Sequence, residues 1–160
     1  DLCEAGKLES HPMMAKLGPE PLEDSFDAKM LASQLAGRKT PIKAALLDQS
    51  VVAGLGNIYV SESLFYAGIS PKRSAYTVQG GRAEKLVGSI KQVLKAAIAA
   101  GGSSLKDHRQ TSGELGYFQH QFAVYDKAGQ KCPGCDCADG SIQQIVQSGR
   151  STYFCTRKQK

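Results

Sequence analysis

The chain has 160 residues, 41% of them hydrophobic and 22% charged, a composition that builds one ordinary domain, with room for a small appended module, and excludes global disorder. No apolar run reaches the length of a membrane span, and the first residues lack the charged-then-apolar order of a secretory signal. The net charge of +5 is lopsided: residues 1–30 carry seven acidic and three basic side chains, the rest seventeen basic and eight acidic. That excess suits a polyanion binder driven by counterion release, and it suits a basic protein with no particular partner equally well.

Taken in chain order, residues 1–24 read as an irregular linker, with His11-Pro12, Gly18-Pro19 and Pro21 and acids at Glu20, Glu23 and Asp24. A helix is predicted after a cap at Asp24-Ser25, with Phe26, Met30 and Leu31 on one face and an end near Gly37. Thr40-Pro41 marks a second start, a hydroxyl cap before a proline in the first turn. Ile42, Ala45 and Leu46 give that short helix its apolar stripe, up to Asp48-Gln49-Ser50. After the turn Val51–Gly56, helix resumes over Ile58–Tyr66 and closes at Gly68, with Pro71 just beyond. The longest helix is predicted from Arg82 to about Ala99, burying Leu86, Ile90, Val93, Leu94, Ala97 and Ile98. Residues 103–116 are polar and glycine-punctuated, an exposed loop. From Tyr117 the pattern changes to strand formers: Phe118, Phe122, Val124 and Tyr125, then Ile142, Ile145 and Val146, then Thr152, Tyr153 and Phe154. The fold expected is mainly α with a small β module: a linker over 1–24, a helical domain over 25–118 and a β-hairpin finger over 119–160.

Four of the five cysteines, Cys132, Cys135, Cys137 and Cys155, fall in the last thirty residues. Such clustering around a C-x2-C turn points to a zinc-ribbon-like site in a reducing compartment rather than to a disulfide framework. A zinc ribbon takes two such turns, so that four ligands converge tetrahedrally on one Zn2+. Here the second turn is Cys155-Thr156-Arg157-Lys158, and a charged lysine cannot ligate. Cys132, Cys135 and Cys155 are therefore the expected ligands. Cys137, or a water or anion, completes the site, or zinc binds weakly. Cys3 stands apart, and His11, His108 and His120 have no metal-like spacing.

The segment Leu46-Leu47-Asp48-Gln49-Ser50-Val51-Val52-Ala53-Gly54-Leu55-Gly56-Asn57-Ile58-Tyr59 resembles the helix–two-turn–helix motif of bacterial formamidopyrimidine-DNA glycosylases, and Glu62–Pro71 continues it. Gly101–Asp107 with Gly116-Tyr117-Phe118 resembles that family's lesion-capping loop, and Gly149–Cys155 resembles the tip of its finger. The blocks run in order from about His11 to Lys160. The resemblance implies a base-excision-repair glycosylase and AP lyase for oxidised purines, acting as a monomer in the bacterial cytoplasm on nucleoid DNA. Its partner would be double-stranded DNA containing oxidised bases or abasic sites.

By the same resemblance Arg38 matches a DNA-contacting position and Lys43 lies close enough to reach the strand. The glycine-hinged corner at Gly54 and Gly56 would turn free amides and Asn57 toward a phosphate, since a helix N-terminus favours an anion. Lys106 lies in the loop over the flipped base. Arg150, between Gly149 and Ser151 in what should be the finger's hairpin turn, would clamp the phosphates at the damaged nucleotide and serve as proton donor in strand cleavage. The family's nucleophile is the amine of an N-terminal proline followed by glutamate, and nothing in these residues matches it. The 160 residues are therefore expected to bind DNA without excising bases. Three other functions stay open: an endonuclease VIII-type glycosylase for oxidised pyrimidines, a non-catalytic zinc-containing nucleic-acid binder, and an RNA binder.

Overall fold

A computed structural model describes residues 18–99, 122–133 and 142–160. The expectations for the loop 103–116, for Lys106, for Cys3, Cys135 and Cys137 and for the three histidines lie outside the described residues.

The described chain is mostly helical, with one two-stranded antiparallel sheet. Helix α1 (Ala28–Leu35) starts two to three residues later than predicted. Phe26 is fully buried in the core ahead of the helix, and the cap is Asp27, whose Oδ1 accepts from the Met30 amide at 2.8 Å. Helix α2 (Ile42–Leu47) takes no cap from Thr40. The backbone there pairs sideways instead: Ile42 N–H donates to Arg73 O at 2.6 Å and Ala75 N–H to Thr40 O at 2.8 Å. A short 3-10 turn, Ala75–Thr77, leads to helix α4 (Gly81–Ala99), while helix α3 (Asn57–Ala67) precedes it. The helix α4 buries Leu86, Ile90, Val93 and Ala97 as its periodicity requires, but Ile98 points outward at 60% exposure.

The helical core joins Phe26, Leu31 and Leu35 to Ile42, Leu46, Val51, Val52 and Leu55 of the turn, and to Leu86 and Ile90 of α4. Helix α3 is the wall that two cores share. Val60, Leu64 and Ala67 face the helical core. Phe65 enters a second cluster with Ala123, Val124, Cys132, Ile142, Tyr153 and Cys155. A helix so placed is buried almost all round, which explains its weak amphipathic pattern in sequence. The described part of the linker also packs down: Gly18 N–H donates to Gln49 O and Ala53 N–H to Pro19 O.

The hairpin pairs β1 (Ile142–Gln147) with β2 (Arg150–Cys155), Gln147 opposite Arg150. Its two-residue turn, Ser148-Gly149, has φ of 51° and 76°. Two positive φ values in succession match the natural twist of a tight hairpin, and glycine makes the second one cheap. Residues 122–133 form turns rather than the predicted strand. The amides of Ala123, Val124 and Tyr125 donate to the Glu62 carboxylate, which takes the place of a strand partner.

Candidate nucleic-acid interface

The α2–α3 turn builds the first side of the site. Gly54 has φ +78°, the left-handed region that disfavours side chains, and its amide is fixed by Gln49 Oε1 at 2.7 Å. Gly56 is different. Its φ of −90° and ψ of 173° are open to any residue, and an added Cβ would meet nothing within 4 Å. It caps α3 with no side chain, so the first-turn amides receive no side-chain cap hydrogen bond. Eleven residues of aligned peptide dipoles end there, the arrangement that attracts an anion.

The hairpin supplies the second side. Lys43, expected beside the DNA strand, is fully buried, and its Nζ donates to Thr152 Oγ1 at 2.6 Å and to Ser151 O at 3.2 Å. Asn57 Nδ2 donates to that same Ser151 carbonyl at 3.1 Å. Two side chains, one from α2 and one from α3, thus hold the residue beside Arg150, and Arg150 stands exposed as the first residue of β2 rather than inside the turn. Arg150, Gly56 and Asn57 line one cleft of about 500 Å3 with Leu47, Gln49, Leu55 and Tyr59.

Arg38 does not line this cleft. It is half-exposed, with Nε donating to Gln34 O at 2.9 Å and Nη1 lying 3.7 Å from Asp48 Oδ2. The Asp48 carboxyl is held below its ordinary range mainly by Ser50, through side chain and amide, and less by Arg38. That pair is exposed and contributes little to stability.

Two residues that the sequence did not single out complete the site. Tyr125 lines the cleft and packs edge-on against Tyr153, ring centroids 4.9 Å apart. Glu62, 3% exposed, fixes Tyr125 by accepting three successive amides at 2.7, 2.9 and 2.9 Å. Burial pushes the Glu62 carboxyl up, against the pull of those amides and of Lys127. Its signal was an acid within the otherwise uncharged helix Asn57–Ala67.

Burial, followed by the charge of Arg150, lowers Lys43 from its ordinary 10.5 to about 8. Between those values the unfolded chain binds more protons than the folded one, so stability rises with pH across that window. Urea unfolding should show wild type gaining about 1–2 kcal/mol on Lys43→Met between pH 7 and 9.5, at about 1.4 kcal/mol per pKa unit. A constant difference would count against a buried ammonium.

A zinc centre of four thiolates from two C-x2-C turns does not fit this chain. Cys132 and Cys155 are buried in one cluster, but the last position of the second turn is Lys158, whose Nζ sits 5.1 Å from the Phe65 ring centroid. Among the described residues no group of three His, Cys, Asp or Glu converges as a metal site. Among them, too, no helix is long and apolar enough to cross a membrane.

Comparison with known proteins agrees with this geometry. The family model described as formamidopyrimidine-DNA glycosylase H2TH domain matches residues 17–109. The formamidopyrimidine-DNA glycosylase of Rhodospirillum rubrum is 65% identical over 99% of this chain and 58% of its own length. That of Rhodospirillum centenum is 64% identical over all of this chain and 56% of its own length. The chain thus spans a little over half the length of the curated relatives it matches. Among solved structures, Lactococcus lactis Fpg in complex with abasic-site DNA superposes with a TM-score of 0.83, at 37% identity, over 98% of this chain and 56% of that one. Thermus thermophilus MutM (Fpg) gives a TM-score of 0.79, at 36% identity, over 96% of this chain and 57% of that one. With its helix–two-turn–helix corner and the match to more than half its length, this chain belongs to the formamidopyrimidine-DNA glycosylase H2TH-domain family.

Proposed function

We propose that these residues bind damaged duplex DNA as the strand-gripping part of a base-excision-repair glycosylase and AP lyase for oxidised purines. One observation carries this: the first residues of α3, Asn57, Ile58 and Tyr59, with their cap Gly56, line the same cleft as the exposed Arg150. Helix-terminal amides and a bidentate arginine together suit a sugar–phosphate strand. The relative solved with abasic-site DNA supports that choice of ligand. Arg38 lies apart from the cleft and would add a peripheral phosphate contact, with Lys106 contributing from the capping loop. Lys43 acts from inside, through Ser151 and Thr152. The finger would run from 119 to 160, taking a zinc ion on Cys132, Cys135 and Cys155, with Cys137, a water or an anion in the fourth position.

Fluorescence anisotropy with abasic, intact and RNA duplexes tests the assignment. The expected order is abasic tightest, with affinity falling steeply as salt rises. Equal affinity for all three would remove it. Excision is a separate matter. The amine nucleophile of the proposed chemistry has no match in these residues, so borohydride should trap no covalent adduct between the 160-residue chain and lesion DNA. An adduct would show that a nucleophile lies here after all.

A further inference from the structure

We propose that the last position of the finger's second cysteine turn has given up its metal-ligand role for a mechanical latch: Lys158, with Gln159 beside it, holds the hairpin against α3, so that Arg150 keeps its place whether or not the remaining thiols carry a metal.

The turn retains the form of a ligand loop. Lys158 N–H donates to Cys155 Sγ at 3.4 Å and Gln159 N–H to Cys155 O at 3.0 Å. What has changed is where the fourth side chain goes. The Lys158 ammonium lies 5.1 Å from the ring centroid of Phe65 on α3, a cation–π contact between finger and helix. Next to it Gln159, 3% exposed, is satisfied at both ends. Its Oε1 accepts from the Cys155 amide at 2.8 Å and its Nε2 donates to Ile69 O at 3.0 Å. Lys160 then pairs with the exit of α3, its N–H donating to Gly68 O and its carbonyl accepting from Ser70 N–H and Arg73 Nε.

A free-standing finger needs its metal because it has too little apolar surface to fold without it. This hairpin borrows a core instead. Phe65, 2% exposed, is the helix's contribution to the cluster of Cys132, Ile142, Tyr153 and Cys155. The far end of the hairpin is bolted separately by Lys43 and Asn57. Contacts at both ends of β2 thus come from the helical domain.

Stripping the 160-residue chain with a zinc chelator, metal content being checked by elemental analysis, tests the latch through amide hydrogen exchange. Protection at Ser70, Lys160 and the amides of β2 should change by no more than about twofold, since local opening is set by the latch. A loss of tenfold or more on stripping, at those amides, would overturn the proposal. In the stripped chain, Lys158→Ala with Gln159→Ala should lower the same protection by at least about tenfold while α1 and α4 keep theirs. Unchanged protection in that variant would also overturn it. Lys158→Cys restores the C-x2-C turn and should raise zinc affinity roughly a hundredfold in competition with a chromophoric chelator. An unchanged affinity would mean the turn had lost no ligand function, and the proposal would fall. These readouts involve no DNA, so their failure is distinct from a failure of the DNA-binding assignment.

Discussion

Arg150→Ala should weaken binding of abasic duplex by roughly 30- to 100-fold, with intact folding by circular dichroism. A charge-assisted hydrogen bond to a phosphate is worth about 1.5–3 kcal/mol, and the exposure of Arg150 keeps its guanidinium near the value of one such bond rather than the sum of two. The loss of one phosphate-neutralising charge should also make the salt slope shallower by about 1. Asn57→Ala should cost less, about fivefold to tenfold, because a single neutral hydrogen bond contributes about 1 kcal/mol. The two effects should not simply multiply. Asn57 Nδ2 holds Ser151 O, so removing it already loosens the backbone that carries Arg150, and residues in one network couple. Independent effects in a double-mutant cycle would show that Asn57 does not position the arginine.

Glu62→Ala should be the most destabilising single change at the site, by about 3 kcal/mol or more in urea unfolding. Three backbone amides lose their acceptor together, and each buried unsatisfied donor costs about 1–3 kcal/mol. Glu62→Gln keeps one carbonyl oxygen and puts an NH2 group where the other oxygen was, so it should fall between wild type and alanine. The damage should reach the cleft through Tyr125, whose backbone Glu62 holds and whose ring meets Tyr153. Exchange at residues 122–133 should rise first. If Glu62→Ala unfolds with the wild-type midpoint, the carboxylate does not anchor that segment.

The parts of this fold written in local chemistry were legible from the chain. The periodicity of α4 and the glycine stop of α3 at Gly68 each follow from side chains within a few residues. The α2–α3 corner and Arg150 stood out through resemblance, since a lone glycine pair or turn arginine says little. What stayed hidden depends on pairing across the chain. Val124 and Tyr125 have strand-forming side chains, yet their amides go to Glu62, some sixty residues earlier. Thr40-Pro41 looks like a cap, but Thr40 O accepts from Ala75 N–H and the next residue, Ile42, donates its amide to Arg73 O. Lys43 read as a surface charge near DNA because nothing local announces that Thr152 and Ser151 will bury it. Long-range hydrogen bonds of this kind leave no periodic trace.

The grip on the strand is most directly seen by amide chemical-shift mapping of the labelled chain during titration with a short abasic duplex. The largest changes should gather at Gly56, Asn57, Ile58 and Tyr59 and at the Arg150 guanidinium, with smaller ones at Tyr125. Changes centred on the outer face of α4, with those five residues silent, would contradict the assignment of the DNA strand to this cleft.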